Sequence, residues 1–351
     1  MSNARVTQKV QLVGMGISEM ETLAAMHDEL PFRGKQLFHW VYKQQANSID
    51  AMNTLPSLFR DLLADEYVLH PLILIKKTGS ALEPTQKFLL QLPSGEKIES
   101  VIMEDGKRVT LCVSTQVGCA VDCKFCATAK MGFIKNLTAG EIVDQYLLIL
   151  NSINKRITNV VFMGMGEPFL NYQQVVNAAN LLNHKEGINL SAKRITISTA
   201  GVIPKIKQYT KEGHKYKLAI SLNSSSQDQR LKIMPISKTH SIDALIQSAW
   251  DYYYISKKLI TLEYVLLAGV NDDIVDADRL IGLIGNLPCK LNLIPYNEID
   301  GLYRRSSEEK IERFVNRLER ASFTVTIRWS KGTDINGGCG QLAVLDKENF
   351  K

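Results

Sequence analysis

Two hydrophobic periods divide the chain. Up to about residue 66, apolar positions recur at three and four residues, the spacing that lines one face of a helix. Phe32, Leu37, Phe38, Trp40 and Val41 fall in one short helical stretch, and Met52, Leu55, Leu58, Leu62 and Leu63 continue the pattern from Ile49 to Leu63. From Tyr67 the segments VLHPLILIKKT, QKFLLQLPSG and EKIESVIME alternate and are bounded by Pro or Gly, which predicts a few strands extending the main sheet. After Arg108, short apolar runs take turns with longer amphipathic ones. Strands are predicted near 109–116, 159–165, 194–199, 216–223, 260–267 and 290–296, and helices near 138–152, 172–184, 202–212, 241–256 and 274–286. Repeated βα units imply a parallel sheet with right-handed crossovers. Six are too few for a complete eight-stranded barrel. Thr138 to Glu141 and Ser306 to Glu309 have the form of capping boxes, the second opening a last helix whose Ile311, Phe314, Val315 and Leu318 share a face. A strand TVTIRWS leads into a glycine-rich end around Cys339, a mobile loop by composition. The expected division is 1–90, a small and mostly helical accessory unit with linking strands, and 91–351, the main α/β domain.

Composition narrows the class without choosing a function. With 351 residues, 45% hydrophobic and 22% charged, the chain can bury one sizeable core and a smaller unit. No apolar run approaches the roughly 18 residues of a membrane span, and the first twenty residues are too polar for a secretory segment. A cytoplasmic protein is expected. The net charge of +6 permits a phosphate backbone as partner but does not require one. In the first unit, Arg33, Lys35 and Lys43 interleave with the aromatics, which fits either the solvated face of an amphipathic helix or a surface that meets RNA.

The chemistry centres on Cys119-Ala-Val-Asp-Cys123-Lys-Phe-Cys126. Structural zinc takes four protein ligands, and the usual ferredoxin cluster takes four thiolates. Three cysteines spaced C-x3-C-x2-C instead predict a 4Fe-4S cluster with one iron left open. Working groups in parallel βα folds sit at the carboxyl ends of strands. The cluster loop follows the first predicted strand. Gly164, Gly166 and Glu167 end the second, Ser198 and Thr199 the third, Ser221, Leu222 and Asn223 the fourth, and Asn297 the sixth. Taken singly these are turn residues, and the shared placement is what makes them candidates. Of the other cysteines, Cys289 and Cys112 lie in apolar strands and read as small buried hydrophobes. Cys339, in Gly-Gly-Cys-Gly, has little core to enter and reads as an accessible nucleophile.

The blocks LCVSTQVGCAVDCKFCATAKMGF, NVVFMGMGEP, LNLIPYN and CGQLA resemble the RlmN/Cfr family of radical S-adenosylmethionine RNA adenine methylases, over nearly the whole chain. The resemblance implies an open partial (β/α)6 barrel with a small, mostly helical RNA-binding accessory domain. It implies a 4Fe-4S cluster on Cys119, Cys123 and Cys126, with S-adenosylmethionine on the open iron and against Gly166, Glu167, Ser198, Ser221, Leu222, Asn223 and Asn297. The family commonly has histidine where Asn223 stands. Two S-adenosylmethionine molecules are used per turnover: one methylates Cys339, and the other yields the 5′-deoxyadenosyl radical that activates that methyl group toward an adenine carbon. Cys112 then releases the product by pairing with Cys339, while Glu99, thirteen residues before Cys112, or Cys112 itself takes the ring proton. By position alone Glu99 would be an ordinary exposed strand carboxylate. Implied partners are 23S rRNA, tRNA, an external electron donor of flavodoxin or ferredoxin type and a disulfide reductant, the enzyme acting as a monomer without a membrane. RlmN-type members methylate adenosine C2 in the peptidyl-transferase centre and next to the tRNA anticodon, and Cfr-type members methylate C8. Gly166-Glu-Pro and PCKLNLIP lean toward C2. A glycyl-radical activase, or a non-catalytic iron-sulfur RNA-binding protein, would use the same three cysteines without Cys339.

Overall fold

The computed structural model describes residues 9–80, 82–299 and 301–344. Its first part is helical: α1 (Ile17–Met26), α2 (Pro31–Phe38) and α3 (Ser57–Glu66), with the short parallel pair β1 (Val10–Gln11) and β2 (Tyr67–Val68) joining its ends. Pro31 stands at the first position of α2, where its missing N–H costs nothing. Gly34 lets α2 press its backbone against α1, since a Cβ there would lie 2.3 Å from Glu21 N. Leu37, Phe38, Val41, Met52, Leu55 and Leu63 are buried as their period predicts, whereas Phe32 and Leu58 face solvent. The helix expected from Ile49 begins only after Pro56, and the residues before it form turns.

Among the described residues the main sheet has ten strands. The antiparallel run β3 (Ile73–Thr78), β4 (Thr85–Gln91), β5 (Lys97–Asp105) and β6 (Arg108–Cys112) forms one side. A small antiparallel pair, β7 (Gln116–Gly118) and β8 (Phe133–Asn136), brackets the cysteine loop. Then come α4 (Ala139–Ser152), β9 (Asn159–Phe162), α5 (Tyr172–Asn183), β10 (Ile195–Thr199), α6 (Ile203–Glu212), β11 (Lys217–Ser221), α7 (Gln227–Ile233), α8 (Ile242–Ser256), β12 (Ile260–Leu266), α9 (Ile274–Ile284), β13 (Cys289–Pro295), α10 (Glu308–Leu318) and β14 (Thr324–Ile327). From β6 through β9 to β14 every neighbouring pair is parallel. The result is an open partial barrel: the six expected strands stand in sequence order, β14 extends them at one edge and β3 to β5 at the other. The division placed at residue 90 falls inside β4, and the sheet is continuous across it.

Local rules explain most boundaries. Glu141 N donates to Thr138 Oγ1 (3.1 Å) and Thr138 N to Glu141 Oε2 (2.8 Å), the reciprocal box that starts α4. For α10 the cap is Ser307, one residue later than the pattern predicts, because Ser306 Oγ is engaged by Asp272 Oδ2 at 2.8 Å. Ile311, Phe314 and Leu318 of α10 are buried, each worth roughly 1.5–3 kcal/mol. One continuous core joins the helical unit to the barrel, since Phe38, Tyr42 and Leu147 lie in the same buried cluster. A polar clasp fixes the joint. His70 Nδ1 lies 2.6 Å from the fully buried Asp144 of α4, His70 Nε2 lies 3.2 Å from Ala46 O, and Leu72 N donates to Asp144 Oδ2. Among the described residues no helix is long and apolar enough to cross a membrane.

Candidate active site

In a strand, alternate residues face the same side, and the parallel register aligns these faces into layers. Thr261 and Lys290 share one low layer inside the barrel, with Lys217 two residues below it on β11; Glu263, Asn292 and Thr326 form the next layer up. Thr326 Oγ1 donates to Asn292 Oδ1, and Asn292 Nδ2 donates to Glu263 Oε1 at 3.2 Å. Above them, the carboxyl-end cavity is lined by Cys119, Cys123, Cys126, Gly164, Gly166, Glu167, Ser198, Thr199, Ser221, Asn223, Cys112, Arg328 and Cys339. Most of the residues singled out from sequence therefore meet in one place.

The cysteine loop is packed against apolar groups. Val121 and Phe125 join Ala200, Ile233, Met234, Val265 and Ile294 in a separate buried cluster that Cys119 and Cys123 touch. Burial pushes the Cys119 thiol up to about 12 and the Cys123 thiol well above its usual range, each thiol's charge opposing its neighbours'. Arg230 is the nearby cation. It is fully buried, and its guanidinium donates to Ala200 O (2.7 Å), Leu222 O (2.9 Å), Ser221 O (3.0 Å) and Ser237 Oγ (2.7 Å). Burial brings its pKa down to about 10. It rivets the carboxyl ends of β10 and β11 together behind the cysteines. Three crowded, half-buried thiols with a buried cation behind them favour a positively charged centre that would deprotonate them. Among the described residues no His, Cys, Asp and Glu group converges closely enough to hold a single metal ion. A cluster that spreads its thiolates over three separate irons does not need such convergence, so the donor set fits it.

Glu167 closes the wall beside the cluster loop. Its Oε2 accepts from Ala200 N (2.6 Å) and its Oε1 from Phe169 N (2.9 Å), so the carboxylate also ties β9 to β10. Burial raises its pKa against those bonds. Gly166 has φ +98, and a Cβ there would lie 2.5 Å from Gln116 Cβ; the close approach lets Gln116 Oε1 accept from Glu167 N at 2.8 Å. Asn223 ends β11 at φ +55, a left-handed conformation that asparagine tolerates better than most residues. Its Oδ1 accepts from Val265 N (2.9 Å). Leu222 does not line the cavity: its side chain lies in the core.

The glycine-rich end expected to be mobile is tied down over this cavity. Ala127 N donates to Gly340 O (2.7 Å), Thr128 Oγ1 to Leu342 O (2.6 Å), Asn297 Nδ2 to Cys339 O (3.0 Å) and Ala343 N to Glu99 Oε2 (3.1 Å). Asn297 thus holds the Cys339 loop rather than lining the cavity, and among the described residues its buried Oδ1 has no partner. Glu99 is buried, not exposed, and pairs with Lys87 at 2.8 Å; its carboxylate sits behind the cavity wall. Cys339 is solvent-accessible, whereas Cys112 and Cys289 are buried. Cys339 sits among surrounding groups at the cavity floor, and this enclosure still raises its thiol, with the Arg328 charge pulling it down and Glu263 pushing it up. Burial pushes the Cys112 thiol up to about 12, the Cys339 charge adds to that, and Arg328 opposes both. The two thiols and the guanidinium form one electrostatic group.

Arg328, Glu263, Arg230 and Lys87 were not singled out from sequence. For Glu263 and Arg328 the available signal was parity: Thr324, Thr326 and Arg328 alternate, as do Thr261 and Glu263, which puts polar groups on an inward face.

The partial barrel, with three cysteines after its first parallel strand, defines a radical S-adenosylmethionine enzyme. Residues 113–281 match the family model of the radical SAM superfamily, and residues 10–69 match that of the ribosomal RNA large subunit methyltransferase N-terminal domain. A radical SAM methyltransferase from Sphaerobacter thermophilus has the same fold, at 39% identity and a TM-score of 0.92, over 95% of this chain and 99% of that one. A dual-specificity RNA methyltransferase RlmN from Desulfosudis oleivorans is 41% identical over 90% of this chain and 86% of its own length. A probable dual-specificity RNA methyltransferase RlmN from Staphylococcus carnosus is 37% identical over 97% and 94%. The chain belongs to the RlmN family and is a radical SAM RNA methyltransferase that uses a 4Fe-4S cluster and S-adenosylmethionine.

Proposed function

We propose that this enzyme methylates C2 of an adenosine in 23S rRNA, and of the adenosine next to the anticodon in tRNA, through a methyl group carried on Cys339. The observation that carries the reading is that Cys112, Cys339 and the three cluster cysteines line one cavity. Cys119, Cys123 and Cys126 would hold the cluster, and Gly166, Glu167, Ser198, Ser221 and Asn223 would hold S-adenosylmethionine. Together these groups supply a methyl group and the radical chemistry that an adenine carbon, being no nucleophile, requires. Cys339 accepts the methyl group because it is the accessible thiol, with Arg328 stabilising its thiolate. Cys112 lies alongside, and once the carbon is joined to the base it attacks the Cys339 sulfur. A sulfur–sulfur bond forms, the carbon–sulfur bond breaks, and the carbon leaves with the RNA. Asn297 and Glu99 hold the two sides of the Cys339 loop, so that its sulfur stays within reach of both partners. Cys112, or Glu99 if its clasp opens, takes the ring proton. An external electron donor of flavodoxin or ferredoxin type and a disulfide reductant complete the cycle, in the reducing setting of the cytoplasm and with the enzyme as a monomer.

The test is nucleoside mass spectrometry on 23S rRNA and tRNA from cells that lack C2 methylation and express this chain, beside cells expressing Cys339→Ala. 2-Methyladenosine with the intact chain alone supports the reading. 8-Methyladenosine would replace C2 by C8, and neither product, from protein holding its cluster, would overturn the substrate.

A further inference from the structure

The barrel interior does not end at Cys339. Beneath it lies a second cavity of about 550 Å³ that opens at the amino ends of the strands. Met103, Met163, Glu263, Arg328, Gly338 and Cys339 line both cavities, so they form a waist between them. Cys112 lines only the upper one. Threonines 110, 196, 261 and 326 make the lower wall polar, and Arg108, Lys217, Lys290 and Lys331 surround its mouth. Lys331 pairs with Asp105 at 3.2 Å. Among the described residues, Arg108, Lys217 and Lys290 have no carboxylate at ion-pair distance, and Arg108 donates only to the Thr110 hydroxyl. The Lys217 ammonium is destabilised by burial and by the charges of Arg108, Lys290 and Lys193. Glu104 and Asp105 also line this cavity, but they pair with Lys155 and Lys331; a polar cavity with three cations outside any ion pair at its mouth and a thiol at its far end suits an anion that reacts with sulfur.

We propose that a small anionic thiol enters by this lower mouth, with its carboxylate at Lys217 and Lys290, and reduces the Cys112–Cys339 disulfide from the Cys339 side. The proposal rests on the reading that this disulfide forms in turnover. Size selects the class of reductant: neither an RNA helix nor a thioredoxin-sized protein fits a space of about 550 Å³. Length agrees as well. From the layer of Lys217 to that of Ser221, which pairs with Glu263 of the waist, is four residues, or roughly 13 Å at 3.3 Å per residue, which a short peptide thiol can span. The thiolate attacks Sγ of Cys339, the bond to Cys112 breaks, and Cys112 departs as a thiolate beside Arg328. A second molecule attacks the mixed disulfide on its own sulfur and releases Cys339. Two thiols are oxidised to one small disulfide, and their two protons end on Cys112 and Cys339.

The test takes holoenzyme through one turnover on its RNA without thiol, removes the RNA, and follows the return of free Cys112 and Cys339 by alkylation and mass spectrometry. The probes are glutathione, which is anionic, and mercaptoethanol, which is neutral. In the double variant Lys217→Glu, Lys290→Glu, reduction by glutathione should slow about tenfold, with reduction by mercaptoethanol unchanged; the milder Lys217→Gln, Lys290→Gln should give a smaller slowing of glutathione alone. High salt should erase the difference in the native enzyme. Equal rates across variants, or equal slowing of both thiols, would overturn the lower route. Weaker RNA binding with unchanged thiol rates would assign the mouth to RNA and overturn it too. Product RNA without a Cys112–Cys339 disulfide would overturn the underlying cysteine mechanism instead.

Discussion

Lys87 is the most informative single residue to remove, because among the described residues it is the only cation paired with Glu99, and Glu99 in turn holds the backbone of Ala343 just beyond the Cys339 loop. The pair is well buried, with the Lys87 side chain 16% and the Glu99 side chain 8% exposed. Burial raises the Glu99 carboxyl above its ordinary 4.5, with Lys87 and the Ala343 N–H pulling it down. A raised folded pKa means that Glu99's contribution to stability is complete below 4.5 and is lost as pH rises through the folded value. Lys87→Met keeps the stem and removes the charge. Leaving a buried carboxylate without its cation costs about 3 kcal/mol at pH 8. The same loss raises the folded pKa further. Near pH 4.5 the carboxyl is protonated in the folded variant and already half protonated in the unfolded chain, so little buried charge is left unpaired and the loss should shrink below about 1 kcal/mol. Denaturant unfolding of the metal-free protein at pH 8 and pH 4.5 measures both figures. Equal losses at the two pH values would refute the ion-pair account and leave only packing of the lysine stem. Because Glu99 anchors Ala343, the variant should also methylate RNA more slowly at every pH where it is folded.

Cys339→Ala should abolish methylation, while Cys112→Ala should transfer the carbon but fail to release it, leaving RNA covalently bound to protein that survives denaturing electrophoresis. Gly166→Ala brings a Cβ to 2.5 Å from Gln116 at φ +98; a loss of about 3 kcal/mol in unfolding free energy and fewer irons per chain after reconstitution are expected. The His70–Asp144 clasp should respond to pH. Burial lowers the His70 pKa, but the hydrogen bond and charge of Asp144 outweigh it and the net direction is upward from 6.5. Its contribution is therefore present below 6.5 and lost as pH rises through the folded value. Proteolysis of the linker around 69–72 should accelerate above neutral pH in the native chain, and Asp144→Asn should be fast throughout.

The fold was legible because the residues that define it speak locally. Apolar period, glycine and proline punctuation and the Thr138 cap placed the six parallel strands to within a few residues, and the C-x3-C-x2-C spacing is itself a statement about ligand number. What stayed hidden depends on partners far apart in the chain. The reason Glu99 is buried rests at Lys87 and Ala343, and the loop that composition marks as free is anchored by Ala127, Thr128 and Asn297. Glu263 and Arg328 were hidden for a further reason. In a strand, a charged residue among apolar neighbours reads as the solvent face, and in an ordinary sheet it would be. An open barrel inverts that rule, because its hollow interior is the wet, reactive side while its outer face is buried under helices. Lys217, Lys290, Glu263 and Arg328 occupy that inner face at successive heights. Polar alternation within strands of a parallel βα chain is thus evidence for an interior channel, and in this chain the alternation runs from the lower mouth up to Cys339.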